Sequence, residues 1–123
     1  MHESAEDAFA IERHGDVIVI VALPPMGKLD ADLLEGASTL ILEPLREAEI
    51  PYVVFDLSRL DFFGSTMLVL LLRCYKVAHA KGGQIALAGP NENIRHVLHL
   101  TSMDTVWPIY GTQDEAIEAL SSD

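Results

Sequence analysis

The side chains able to do chemistry in this chain are few and widely spaced. His96 and His99 stand three residues apart on a predicted helix, a spacing at which two imidazoles can share a metal ion. A tetrahedral site needs further ligands, which the sequence does not supply at matching spacing. The two therefore read as helix-surface side chains, and no metal is expected. His2, His14 and His79 read as surface positions, and Cys74 lies mid-helix among leucines, where a thiol behaves as a small hydrophobe. Asp56 and Asp61 form a conceivable acid–base pair, but aspartates at a strand end and in a loop are turn and cap formers. No GxxxxGK[ST], GxGxxG or GxSxG motif is present, so an enzyme acting on a nucleotide has no phosphate loop or nucleophile elbow to work with. The chain reads as a non-enzyme without a cofactor. What remains is Asp61-Phe62-Phe63-Gly64-Ser65-Thr66-Met67-Leu68, two aromatics in a tight loop followed by two hydroxyls that open an unusually apolar helix.

The composition fits a single domain over residues 8–121 behind a polar tail, 1–7. Hydrophobic residues make up 50% of the 123 and charged residues 22%, a globular balance. Nineteen acids against eight Lys and Arg give −11, and such a surface repels phosphate backbones and anionic lipid, which argues against nucleic-acid and membrane partners. The excess is uneven: residues 1–50 hold 11 acids and 3 bases, residues 51–100 hold 3 and 5, and residues 101–123 hold 5 and none. A single cysteine cannot form an internal disulfide, which fits a reducing cytosol. The first residues lack a basic start and an apolar core, and the longest apolar runs fall far short of the roughly 20 residues that span a bilayer. A soluble cytoplasmic protein is expected.

The elements that must position the hydroxyls follow from pattern. Phe9–Arg13 and Val17–Leu23 flank His14-Gly15-Asp16 and predict a β-hairpin, which Pro24-Pro25-Met26-Gly27 ends. Asp30 caps a helix whose apolar residues recur at Leu33, Leu34, Ala37, Ile41, Leu45 and Ala48, with a kink or break near Glu43 ahead of Pro44. Tyr52–Asp56 and Gln84–Ala88 have the consecutive apolar positions of strands covered on both faces. Between them a helix runs from Ser65 to about Lys81 and stops at Gly82-Gly83. Asn91 caps a short helix to about Leu100, Val106–Tyr110 is an edge strand because Pro108 cannot donate to a ladder, and Thr112–Leu120 is a last helix with Thr112 and Glu115 at capping-box spacing. The fold class is α/β: an N-terminal hairpin, then alternating helices and strands in a mixed, mainly parallel sheet.

On the central helix, 100° per residue sends Leu68, Leu71, Leu72, Tyr75 and Ala78 toward the sheet and leaves Ser65, Thr66, Val69, Arg73 and Lys76 outside. An exposed valine beside two hydroxyls, on a face ending in two cations, suits a small protein-docking patch; a capped core helix with one stray valine is the plainer alternative.

At these residues the chain resembles the STAS-domain family, typified by bacterial anti-sigma-factor antagonists. Gly27-Lys28-Leu29-Asp30 resembles the family's G-x-L-D before the first helix. YVVFDLSRLDFFGSTMLVLLL resembles its strand, loop and helix, where the usual text is Asp-Ser-Ser/Thr-Gly-Leu after an aromatic. Lys81-Gly82-Gly83-Gln84-Ile85-Ala86-Leu87 resembles its entry to the next strand. The likeness runs from about Phe9 to Leu120. It implies a STAS fold and a partner that is both anti-sigma factor and Ser/Thr kinase, with a phosphatase reversing the modification. The phosphoacceptor serine falls on Ser65, with Thr66 next to it. The implied partner-binding set is Asp30, Phe63, Gly64 and Ser65, together with Thr66, Met67, Val69 and Arg73. A phosphate at the start of a helix adds about −1.5 to −2 charge where backbone N–H groups accept it, in the centre of the docking face.

The chain departs from the motif at Gly64, where the family has aspartate, at Met67, where it has glycine, and at Ser102, where glycine is common. Met67 suggests a different partner surface. Gly64 and Met67 together point toward the second role the resemblance implies, a non-switching accessory subunit at the cytosolic face of an ATP-driven lipid transporter. Self-association through the apolar hairpin strands is a further possibility.

Overall fold

A computed structural model of the chain describes residues 5–27 and 30–121. The segment VIVIVA has no polar side chain, and a strand of that kind needs cover on both faces. It forms β2 (Val17–Ala22), with every residue buried. β1 (Phe9–His14) pairs with it antiparallel across a turn in which Gly15 takes φ +64°, and lies at the sheet edge with its last four residues exposed. β3 (Tyr52–Asp56), β4 (Gln84–Ala88) and β5 (Ile109–Tyr110) follow in parallel, giving the order β1-β2-β3-β4-β5. The helices are a single turn, α1 (Pro24–Gly27), then α2 (Ala31–Glu47), α3 (Ser65–Ala80), α4 (Glu92–Leu100) and α5 (Gln113–Ser121).

Alternation along the strands divides the core. Ile18, Ile20, Val53, Phe55, Ile85 and Leu87 face α2, α3 and α4. Val17, Val19, Val21, Val54, Ala86 and Ala88 face α5 through Ala116, Ile117 and Leu120. The fully buried Trp107 joins the larger layer and meets Tyr75 edge-on at 6.1 Å between ring centres.

The caps read from the sequence are in place. Asp30 Oδ1 accepts from Leu33 N at 2.8 Å, Asn91 Oδ1 from Ile94 N at 2.8 Å, and Thr112 Oγ1 from Glu115 N at 3.1 Å. At the end of α3, Gly82 N donates to His79 O (3.0 Å) and Gly83 N to Ala78 O (2.8 Å), with Gly82 at φ +78°. Gly83 is fixed by contact as well: a Cβ there would lie 1.8 Å from the carbonyl oxygen of Pro51.

Two expectations need correction. α2 is not broken near Glu43 but continues to Glu47. Proline removes one i→i−4 bond and crowds the carbonyl four residues before it, here that of Leu40, but the helix carries on past it. The turn beyond it is closed by Ala48 N donating to Pro44 O (3.1 Å) and by Lys81 Nζ, which donates to the carbonyls of Leu45 and Arg46. The last strand is Ile109–Tyr110 and does not start at Val106, because Val106 N and Trp107 N both donate to Met103 O in a tight turn that buries the indole. Of the polar tail, Ala5–Asp7 forms a 3-10 turn, while residues 1–4, His2 among them, lie outside the described residues, as do Lys28 and Leu29 of the Gly27–Asp30 motif.

Candidate functional site

The site is assembled where β3 hands the chain to α3. Asp56 ends the strand buried, and its carboxylate is used by structure: Oδ1 accepts from Ser58 N (2.9 Å) and Oδ2 from Gln113 Nε2 (2.8 Å). Asp61 is exposed. The loop between strand and helix is pinned by Leu57, Leu60 and Phe63, all buried, and by Asn91 Nδ2 donating to Leu60 O at 3.3 Å. Its end is therefore held in place, and α3 starts from a fixed point.

Gly64 caps α3 with extended backbone (φ −96°, ψ 175°) and no side-chain bond. Ser65, the first helical residue, is exposed at the positive end of the helix, and Thr66 behind it is half-buried. The outward stripe of α3 is Ser65, Val69, Leu72 and Lys76, at i, i+4, i+7 and i+11. Val69 and Leu72 are 39% and 38% exposed, and Phe62, in the loop before Ser65, is 58% exposed. Ser65 thus heads a face with three exposed apolar side chains, Phe62 before it and Val69 and Leu72 after it.

α2 lies beside α3 in the same direction. Arg73 Nη1 donates to Ser38 Oγ (3.0 Å), 35 residues away in sequence, and Lys81 Nζ reaches the Arg46 carbonyl at the same separation. That constant offset pairs Ser65 with Asp30, so the two helices begin at the same end of the molecule. Arg73 also meets Glu35 Oε1 at 3.1 Å, in the seam between the helices.

Several expected site residues lie elsewhere. Met67 (1% exposed) and Phe63 (6%) are core side chains and offer a partner no surface. Leu72 faces solvent, while Leu68 and Tyr75 are half-buried; the stripe that meets the sheet is Met67, Leu70, Leu71, Cys74 and Ala78. The helix is apolar almost all round from Met67 to Leu72, so periodicity alone could not fix its rotation, and packing on the sheet did. Phe62 and Leu72 are the exposed residues the sequence did not single out; the paired phenylalanines were the available signal for the first. Cys74 is fully buried in the core, and burial pushes its thiol up to about 12. His99 Nδ1 lies 2.9 Å from Asp104 Oδ2, and among the described residues no group of three His, Cys, Asp or Glu side chains is placed to hold a metal ion. No helix among the described residues is long and apolar enough to cross a membrane.

The family model for the STAS domain matches residues 8–116. The chain belongs to the STAS-domain family. The solved anti-sigma-factor antagonist STAS-domain protein of Planctomyces limnophilus is 30% identical, with a TM-score of 0.83 over 93% of this chain and 98% of that one. The anti-sigma F factor antagonist of Paenibacillus polymyxa is 24% identical over 110 residues, 89% of this chain and 92% of that protein. The Bacillus cell-fate determinant SpoIIAA, solved in its phosphorylated form, shares the fold at 24% identity and a TM-score of 0.71, covering 91% of this chain and 98% of that one.

Proposed function

We propose that this STAS domain is an anti-sigma-factor antagonist, a non-enzymatic cytoplasmic protein that docks an anti-sigma factor with Ser/Thr kinase activity through the start of α3. The observation that carries this reading is the exposed Ser65 at the head of α3, flanked by Phe62, Val69 and Leu72. Three apolar side chains around one hydroxyl give a partner something to bury and a modification something to interrupt. Asp30, at the same end, caps α2 and lies exposed at the rim of the face.

Ser65 is the phosphoacceptor in this reading, and its greater exposure favours it over Thr66. The kinase transfers the γ-phosphoryl group of ATP to Ser65 Oγ, with loss of the hydroxyl proton and release of ADP. The new dianion sits at the positive end of α3, where first-turn N–H groups stabilise it without any change of fold. The same charge occupies the centre of the apolar face, which a partner can then bury only by desolvating it. A phosphatase restores the hydroxyl. The transporter-subunit alternative drew on Gly64 and Met67; with Met67 in the core, only Gly64 still bears on the partner surface.

The test is reconstitution with the anti-sigma-factor kinase encoded in the same genome. Calorimetry should show a complex with the wild-type chain, and mass spectrometry after incubation with kinase and ATP should place one phosphate on Ser65 and none on the Ser65→Ala variant. No complex and no phosphate would end the reading.

A further inference from the structure

The seam between α2 and α3 opens outward as a groove of about 410 Å³. Its floor includes Leu42 and Val77, and its rim carries Arg46, Arg73 and Lys76 against one carboxylate, Glu35. Arg46 and Lys76 make no side-chain hydrogen bond or ion pair among the described residues, and both are exposed. Arg73 is held in place by Glu35 and by the buried Ser38, both through Nη1, so its Nε and Nη2 hydrogens have no partner among the described residues. A guanidinium fixed on one edge and open on the other is preorganised for a carboxylate, since a planar fork loses little freedom on pairing.

The rest of the molecule gives this groove its meaning. In a chain of net charge −11, three cations gather around one groove, two of them, Arg73 and Lys76, from the one stretch of sequence whose bases outnumber its acids. The acidic flanks repel an acidic partner everywhere else, so the field orients such a partner onto this seam. The groove also continues the docking face. Lys76 belongs to the same stripe as Ser65, eleven residues on, or about 16 Å along the helix.

We propose that the groove docks an acidic amphipathic segment of the partner protein, with Asp or Glu side chains on the rim cations and an apolar side chain on Leu42 and Val77. The partner's identity as an anti-sigma factor rests on the reading above; the chemistry of its docking segment rests on the groove. The seam then sets the register of the complex, while Ser65, at the far end, decides whether it closes.

Two measurements on the full chain test this. In the first, the ¹⁵N-labelled protein is titrated with a 20-residue amphipathic peptide of Glu and Leu, and separately with its counterpart carrying Lys for Glu. The acidic peptide should shift the amides of Ser38, Leu42, Arg46, Arg73, Lys76 and Val77 saturably, the basic one should not, and the double variant Arg46→Glu/Lys76→Glu should weaken binding by about tenfold at low salt. Both changes are at exposed positions, so the variant should fold, as its own spectrum will report. Equal response to the two peptides, no saturable shift, or unaltered affinity of the variant would overturn the proposal.

In the second, the anti-sigma factor is titrated with wild type and the double variant at several salt concentrations. A tenfold loss and a flatter salt dependence are expected. Equal binding of both proteins refutes the groove and leaves the Ser65 reading standing; binding of neither refutes that reading and leaves the peptide titration to decide the groove. If sedimentation shows self-association that the double variant abolishes, the groove belongs to the acidic α5 of a second copy, and the partner assignment falls.

Discussion

Placing a carboxylate on Ser65 should move stability and binding in opposite directions. Ser65 is the first residue of α3, its side chain is exposed, and the cap before it is a glycine that contributes no side-chain bond. An aspartate there meets the positive end of a 16-residue helix, an interaction worth about 0.3–1 kcal/mol at low ionic strength. For a domain of this size that corresponds to a rise in Tm of roughly 1–4 °C. Salt should erase the gain, because a dipole at an exposed helix end is screened. In the complex the same carboxylate is enclosed between the Phe62 and Val69 side of the face and the partner, and an unpaired charge in such a place costs about 2 kcal/mol or more, some thirtyfold in Kd. Thermal unfolding in low and high salt, with calorimetry against the anti-sigma factor, reads both quantities on one preparation of Ser65→Asp. Ser65→Ala is the control and should bind within about threefold of wild type, since it removes a small hydroxyl without adding charge to the apolar face. A fall of several degrees in Ser65→Asp would mean that Ser65 does not stand at a free helix start. A raised Tm with unchanged affinity would remove it from the interface.

Three further outcomes follow from the backbone and the core. Gly83→Ala should destabilise by about 2–4 kcal/mol in urea unfolding, because its Cβ meets the Pro51 carbonyl, whereas Gly82→Ala, with open space but φ +78°, should lose only about 1 kcal/mol; equal losses would mean that the Pro51 approach is not tight. Ser102 is a non-glycine residue at φ +60°, so Ser102→Gly should stabilise by about 0.5–1 kcal/mol in the same assay, and a loss would show that its backbone is not strained. The Cys74 thiol keeps its proton to about 12 in the folded chain but releases it near 9.0 when unfolded. Above pH 9 the folded state therefore binds more protons, and stability should fall by about 1.4 kcal/mol per pH unit up to about 12 through this group. Cys74→Ala should lack that part of the slope between pH 9.5 and 11, and parallel slopes would place the thiol in contact with water.

What could be read from the sequence was what depends on a few neighbouring residues. The strands at Tyr52–Asp56 and Gln84–Ala88 follow from local apolar runs, and the caps at Asp30, Asn91, Thr112 and Gly82 each from a hydrogen bond that closes within four residues. What was not legible depends on parts of the chain that are distant. The rotation of α3 is set by the sheet beneath it, since Met67–Leu72 is apolar on every side. Phe62 and Phe63 are identical neighbours without a period to separate them, and only the buried loop decides that one faces out and the other in. The seam joins Arg73 to a serine 35 residues earlier, and nothing in either local sequence announces the other. The start of β5 was missed for the same reason: Trp107 is drawn into the core by a layer built from β1 to β4 and α1 to α4.

Gly64 and Phe62 explain each other. A Cβ on Gly64 would lie 2.9 Å from Cε2 of the Phe62 ring, so a side chain at position 64 and the ring in its present place exclude one another. The motif this segment resembles carries an aspartate there, a residue that can both cap the helix and offer an acceptor beside the serine. Trading it for glycine costs only a few tenths of a kcal/mol as a cap. In exchange the aromatic ring lies over the start of α3 with more than half its surface exposed. An aromatic side chain at the centre of a docking face contributes more to affinity than a rim carboxylate does, by the usual ranking of interface residues. The entrance to Ser65 is thereby apolar, and the local charge at the helix start is left to the backbone dipole alone. A phosphate added to Ser65 then meets no neighbouring aspartate at position 64. It changes the face from apolar to dianionic in one step, which is the largest contrast this helix terminus can present to a partner.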